Sequence, residues 1–277
     1  MCPTLNQQQV AELGSLLSDL ARVYGYDFRE YAEASLRRRL LLWLAGSGFG
    51  SFEAARLPLL RDPALFEGVL RGVTVNVSEM FRDPQVFKLL REQVVPHLAT
   101  YPAVKIWHAG CASGEEAYSM AILLDEEGLK GRYRIYATDI NQQVLKTAQD
   151  GIFPLSGMRL YTQNYQKSGG RSAFSDYYTA GYDHALLSAS LKEGIVFAQH
   201  NLAVDGCFGE MQLVFCRNVL IYFKQSLRRR ALELFDASLS PGGFLCLGTK
   251  ETLDGSELGS RYQEVGSHSR IYRKRYG

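Results

Sequence analysis

The chain has 277 residues, 46% hydrophobic and 22% charged, which suffices for one large or two modest packed units and excludes a disordered, fibrous or disulfide-stapled fold. Lys and Arg total 31 against 29 Asp and Glu, so the net charge of +2 draws the chain to neither nucleic acid nor anionic membrane. The five cysteines, Cys2, Cys111, Cys207, Cys216 and Cys246, form no CxxC pair and no signal-peptide pattern opens the chain. Free thiols in a reducing cytoplasm are expected, with no metal centre, and no apolar run reaches the ~20 residues of a membrane span.

In chain order, Val10, Leu13, Leu16, Leu17 and Leu20, then Leu36, Leu40, Trp43 and Leu44, recur at helical spacing, so residues 1–72 read as a small all-α domain. Asp62-Pro63 opens a helix with Asp62 as cap and Pro63 in its first turn. Asp83-Pro84 repeats that device inside a connecting stretch, residues 73–100. From residue 101 to 277 the pattern changes to strand-like runs alternating with helices: VKIWHA, YRIYATD, IVFAQHN, MQLVFCRN, FLCLGT and a tail, SRIYRKR. This predicts an α/β fold with a doubly wound, mostly parallel, Rossmann-like sheet. Residues 154–193, rich in Tyr, Ser and Gly, read as a small antiparallel β insertion, with QKSGGRSAFS as a mobile loop.

The turn HAGCASGEE, residues 108–116, follows a strand and opens a helix, but holds only two glycines of the dinucleotide fingerprint. Glu115 and Glu116 would repel a pyrophosphate and suit a ligand ammonium, or they simply complement the helix dipole. Asp139, ending the second run, suits ribose hydroxyls or caps the following helix. Asn201 and Arg217-Asn218 also stand at carboxyl ends of strands, where open α/β sheets bind ligands; a buried salt bridge is the alternative for Arg217.

The ordered motifs NVSEMFRD (76–83), WHAGCASGEEAYS, ATDIN, QHNL and FCRNVLIYF resemble the chemotaxis-receptor methyltransferases, the CheR family. The family transfers a methyl group from S-adenosylmethionine to glutamates on the cytoplasmic helices of methyl-accepting chemoreceptors, leaving methyl esters and S-adenosylhomocysteine. The resemblance implies that Asn76, Ser78 and Arg82 contact the methionine end of the cofactor and that Glu116 takes its ammonium. Gly110 to Gly114 would line the pocket, Asp139 bind the ribose, and Asn201 and Leu202 lie near the adenine. Arg217 and Asn218 would sit beside the cofactor and Tyr222 near the methyl, Arg82 and Tyr222 orienting the reactants. Ser78 stands where the family commonly has Thr and keeps the hydroxyl; Met80 replaces an aromatic residue.

Arg37, Arg38 and Arg39 fan around a helix, as a solvated face or, on the family resemblance, as a dock for the acidic receptor bundle. In some members the β insertion tethers a receptor's carboxyl-terminal peptide. The family includes members with further carboxyl-terminal modules, so a complete chain and a shortened one both fit. A nucleic-acid methyltransferase would normally show NPPY where CRNVLIYF stands. A catalytically silent adaptor has no need of the full ligand set, and the failed glycine fingerprint speaks against a nicotinamide dehydrogenase.

Overall fold

A computed structural model describes residues 6–276; Cys2 and Gly277 lie outside the described residues. The described residues divide into two compact units, one comprising the segments up to Val75, Asn201–Gly206 and Leu220–Ala231, the other Asn76–His200, Cys207–Val219 and the segment from Leu232 on.

The first unit is helical. Helix α1 (Gln7–Tyr24) begins with a reciprocal capping box between Asn6 and Gln9 and buries Leu13, Leu16, Leu17 and Leu20, as the spacing predicts, while Val10 of the same series is exposed. It is followed by α2 (Glu33–Ser47), α3 (Phe52–Arg61) and α4 (Pro63–Val73). Asp62 caps α4 through the Ala64 N–H, with Pro63 in the first turn. The Tyr24 and Phe66 rings stack at 4.1 Å, joining the ends of α1 and α4.

The second unit opens with α5 (Pro84–Leu89), a π-helical turn at Leu90–Val94 and α6 (Val95–Leu98). Pro96 explains the π turn, because it lacks the N–H that would continue an α-helix and its ring crowds the preceding turn. Then come β1 (Val104–Ala109), α7 (Glu115–Glu126), β2 (Tyr133–Asp139) and α8 (Gln142–Asp150). The insertion holds β3 (Ile152–Pro154), α9 (Leu155–Lys167), β4 (Tyr178–Ala180), β5 (His184–Leu187) and α10 (Ala189–Lys192). The remainder is β6 (Ile195–Gln199), β7 (Met211–Cys216), α11 (Gln225–Ser238), whose residues up to Ala231 count with the first unit, β8 (Leu239–Leu247), β9 (Tyr262–Glu264) and β10 (Ile271–Lys274).

The main sheet has seven strands in the order β6-β2-β1-β7-β8-β10-β9, and its first five run parallel. The chain leaves β1 toward β2 and β6 and later returns on the other side to β7. The β1/β7 boundary is therefore the topological switch point, where such sheets open a crevice beyond the strand carboxyl ends. The insertion forms a separate antiparallel sheet, β3-β5-β4. It also contains the 13-residue helix α9, which the reading of residues 154–193 as an antiparallel β insertion does not anticipate. Its segment after α9 is tied rather than loose: the Arg171 N–H donates to Glu126, its guanidinium pairs with Glu127, and the Ser172 N–H donates to the Tyr165 hydroxyl. No described helix is long and apolar enough to cross a membrane.

Candidate functional site

The loop after β1 is held tight against its neighbours. Gly110 has φ +75, and a Cβ there would lie 2.4 Å from Val219 Cγ2, so only glycine fits without displacing that side chain. The Gly110 and Cys111 N–H groups both donate to Thr138 O, at 2.8 and 2.9 Å. Gly114, at φ +91, is the N-cap of α7. Asp139 is a stitch between strands: Oδ2 accepts the Ala112 N–H and Oδ1 the Asn141 N–H, each at 2.9 Å. Asn141 itself caps α8, and burial pushes the Asp139 carboxyl up despite these bonds. A carboxylate can accept about four hydrogen bonds, so these two N–H donors together with that of Ile140 leave capacity for one ligand hydroxyl.

Arg217, just past β7, is the centre of the site. Its side chain is fully enclosed, pairs with both Glu116 and Asp83, and donates to Arg82 O at 3.0 Å. This corrects the expectation that Asp83 caps the helix it precedes. Asp83 sits in the left-handed region at φ 54 and makes no capping bond, because its carboxylate is turned to Arg217. Burial pushes the Glu116 carboxyl up, opposed by Arg217 and Arg82. Glu115, Glu116 and Asp83 outnumber Arg217 and Arg82 here, so a ligand cation would be favoured. Arg217 Nε and Asn218 Oδ1 are buried without a hydrogen-bond partner. The donor set thus fits a ligand bearing both an ammonium and a carboxylate.

The segment 76–83 is pinned onto α7. The Phe81 N–H donates to Ser119 Oγ at 2.8 Å, and Ser119 in turn donates to Glu115 O at 2.7 Å. Asn164 Nδ2 holds Met80 O at 3.2 Å, and the Ser78 hydroxyl donates to the buried Glu115 carboxylate. Phe81, fully buried at φ 52, packs edge-on against Phe87 and Tyr165. Asn76 and Arg82 are half-buried on this segment. The sequence reading misses Ser119, although it stands in the AYS of the quoted motif; a hydroxyl one turn into a buried helix was the available signal.

Of the residues expected at the site, Asn76, Ser78, Arg82, Gly110, Gly114, Glu116, Asp139, Arg217 and Asn218 belong to the second unit, while Asn201, Leu202 and Tyr222 belong to the first. There Asn201 caps its own turn through Ala203 N–H and donates to Gly25 O at 3.3 Å. Leu202 is buried, and Tyr222 O accepts the Ala32 N–H at 2.7 Å. Arg37 pairs with Glu33 one turn back, Arg38 is exposed and Arg39 half-buried. Cys111 and Cys216 are enclosed, and burial pushes both thiols up, as suits packing residues rather than nucleophiles. Among the described residues no cluster of three or more His, Cys, Asp or Glu could hold a metal ion.

Comparison with known proteins is specific. A methyltransferase named Cher3 from Pseudomonas putida is 48% identical over 263 residues, 95% of this chain and 96% of that protein. A chemotaxis protein methyltransferase from Listeria innocua is 31% identical over 84% of this chain and 86% of its own length. Among solved structures, the N-methyltransferase NodS from Bradyrhizobium japonicum aligns over 71% of this chain and 89% of that one, at 15% identity and a TM-score of 0.39. Residues 76–269 match the CheR methyltransferase, SAM binding domain, so S-adenosylmethionine is the cofactor and the chain belongs to the CheR methyltransferase family.

Proposed function

We propose that the chain is a protein-glutamate O-methyltransferase that esterifies glutamate side chains on the cytoplasmic helices of methyl-accepting chemoreceptors. The observation that carries this reading is the acid-rich cluster at the switch point, where Glu116 and Asp83 share the enclosed Arg217. Glu116 holds the ligand ammonium, while Asn76, Ser78 and Arg82 hold the methionine end. Gly110 and Gly114 admit the ligand close to the backbone, and Asp139 accepts from the ribose. Asn201 and Leu202 flank the adenine, Arg217 and Asn218 stand beside the cofactor, and Arg82 and Tyr222 orient the reactants.

The cofactor supplies an electrophilic sulfonium methyl. A substrate glutamate is already ionised near pH 7, so no general base is required of the protein. What remains for these side chains is orientation and exclusion of water, and positioning of that kind contributes up to ~7–11 kcal/mol in favourable cases. Residues 1–72 form the receptor-facing helical domain in this reading, with Arg37, Arg38 and Arg39 meeting acidic receptor helices, 73–100 the connecting stretch and 101–277 the methyltransferase domain. The β insertion at about 154–193 offers strand edges to a receptor tail.

The test is transfer of tritiated methyl from S-adenosylmethionine to a purified chemoreceptor cytoplasmic fragment. Label that mild alkali releases as methanol is expected, with the rate reduced in Arg82→Ala and Tyr222→Phe. Alkali-stable label would overturn the ester reading. Wild-type rates in both variants would remove those two residues from their assigned roles.

A further inference from the structure

We infer that Glu251 is a positioning residue for the methyl-transfer site and acts through Asn218. The inference rests on the reading of Asn218 as a residue beside the cofactor. Glu251 lies three residues past Gly248, in the turn that leaves β8, and is only 1% exposed. Its single oxygen Oε2 accepts two backbone N–H groups, that of Gly248 at 2.6 Å and that of Asn218 at 3.0 Å. The carboxylate therefore ties the carboxyl ends of β7 and β8 together just where their ladder stops at the Cys216–Leu247 pair.

The clamp explains three otherwise separate features. Asn218 has φ 60, in the left-handed region that Asn enters more readily than most residues, and the bond from its N–H to Glu251 holds it there. Gly248 tolerates no Cβ, since one would lie 2.7 Å from both Asn218 N and Glu251 Oε2. Asn218 Oδ1 remains buried with no hydrogen-bond partner, so its amide is aimed by the backbone and not consumed by the fold. The Glu251 carboxylate thus fixes the backbone from which the Asn218 side chain departs. Nothing in this arrangement requires Glu251 to touch ligand.

The test is calorimetric titration of the full chain with S-adenosylhomocysteine. Glu251→Gln keeps an acceptor oxygen in place and should bind within about threefold of wild type, whereas Glu251→Met, of similar size without an acceptor, should lose about tenfold or more, the worth of one charge-assisted bond. In an Asn218→Ala background the same Glu251→Met change should shift affinity less than about twofold, because the pathway is already cut. Should Glu251→Met not fold, Glu251→Asp replaces it in the cycle, its shorter carboxylate withdrawn from both N–H groups. Equal losses in the two backgrounds, or undiminished binding by the Met or Asp variant, overturn the role of Glu251 alone. Wild-type protein that takes up no S-adenosylhomocysteine overturns this inference and the site reading together.

Discussion

Removing the Arg217 guanidinium should destabilise the protein sharply, and the size of the effect follows from what it leaves behind. Arg217→Met keeps much of the buried stem and deletes the charge, stranding Glu116, whose side chain is 13% exposed, and Asp83, which is 41% exposed. Breaking a buried pair by removing one partner typically costs about 3–5 kcal/mol. Asp83 can turn to water, so its share is small; Glu116 carries most of the penalty, which places the expected loss near the lower end, about 3 kcal/mol. At roughly 2–4 °C per kcal/mol for a chain of this size class, the melting temperature should fall by about 6–12 °C. Scanning calorimetry with urea unfolding measures both quantities. The double variant Arg217→Met/Glu116→Gln removes the stranded charge and should recover part of the loss. A drop of under about 2 °C, or a double variant worse than additive, would refute the argument that Arg217 and Glu116 are a desolvated, mutually dependent pair.

Three further outcomes follow from the same geometry. Burial raises the Glu116 carboxyl above its ordinary 4.5, so the folded chain holds that proton more tightly than the unfolded one, and the resulting stabilisation is lost as pH rises through the folded value. Ammonium binding needs the ionised form, so affinity for S-adenosylhomocysteine should climb over that window with proton release, and Glu116→Gln should flatten the profile; a midpoint at or below the ordinary value would contradict this. Gly110→Ala drives a methyl to 2.4 Å from Val219 Cγ2 at a left-handed position, and should abolish measurable cofactor binding, partly restored by Val219→Ala. Ser119→Ala strands the buried Phe81 N–H at a cost of about 1–3 kcal/mol, and hydrogen exchange should speed up across 76–83; unchanged exchange would show that Ser119 does not pin the segment.

The parallel strands were legible because strands buried on both faces read as short continuous apolar runs, as β7 does with all six residues buried. Helix starts were legible where a cap acts locally, as Asp62 does for α4. Helix α9 was not, although its buried Met158, Tyr161 and Tyr165 stand at helical spacing, because the strand-favouring Tyr161, Thr162 and Tyr165 obscured that period. Strand β9, three residues long, gives no period to detect. The motifs named the residues around the switch point, but not how their charges are shared. Asp83 looks like a cap in sequence because capping is local, whereas its partner Arg217 is 134 residues away. Likewise Asp139 and Ala112 are 27 residues apart, and nothing between them announces the stitch they make.

The central claim is that the acid-rich cluster around Arg217 is built to receive the amino-acid end of the cofactor. The most direct measurement is a calorimetric comparison of S-adenosylhomocysteine with 5′-methylthioadenosine, which lacks that end, on wild type and Glu116→Gln. The account predicts much tighter binding of S-adenosylhomocysteine by wild type and a gap that narrows in the variant. Equal affinities for the two ligands on wild type, or a gap untouched by Glu116→Gln, would contradict it.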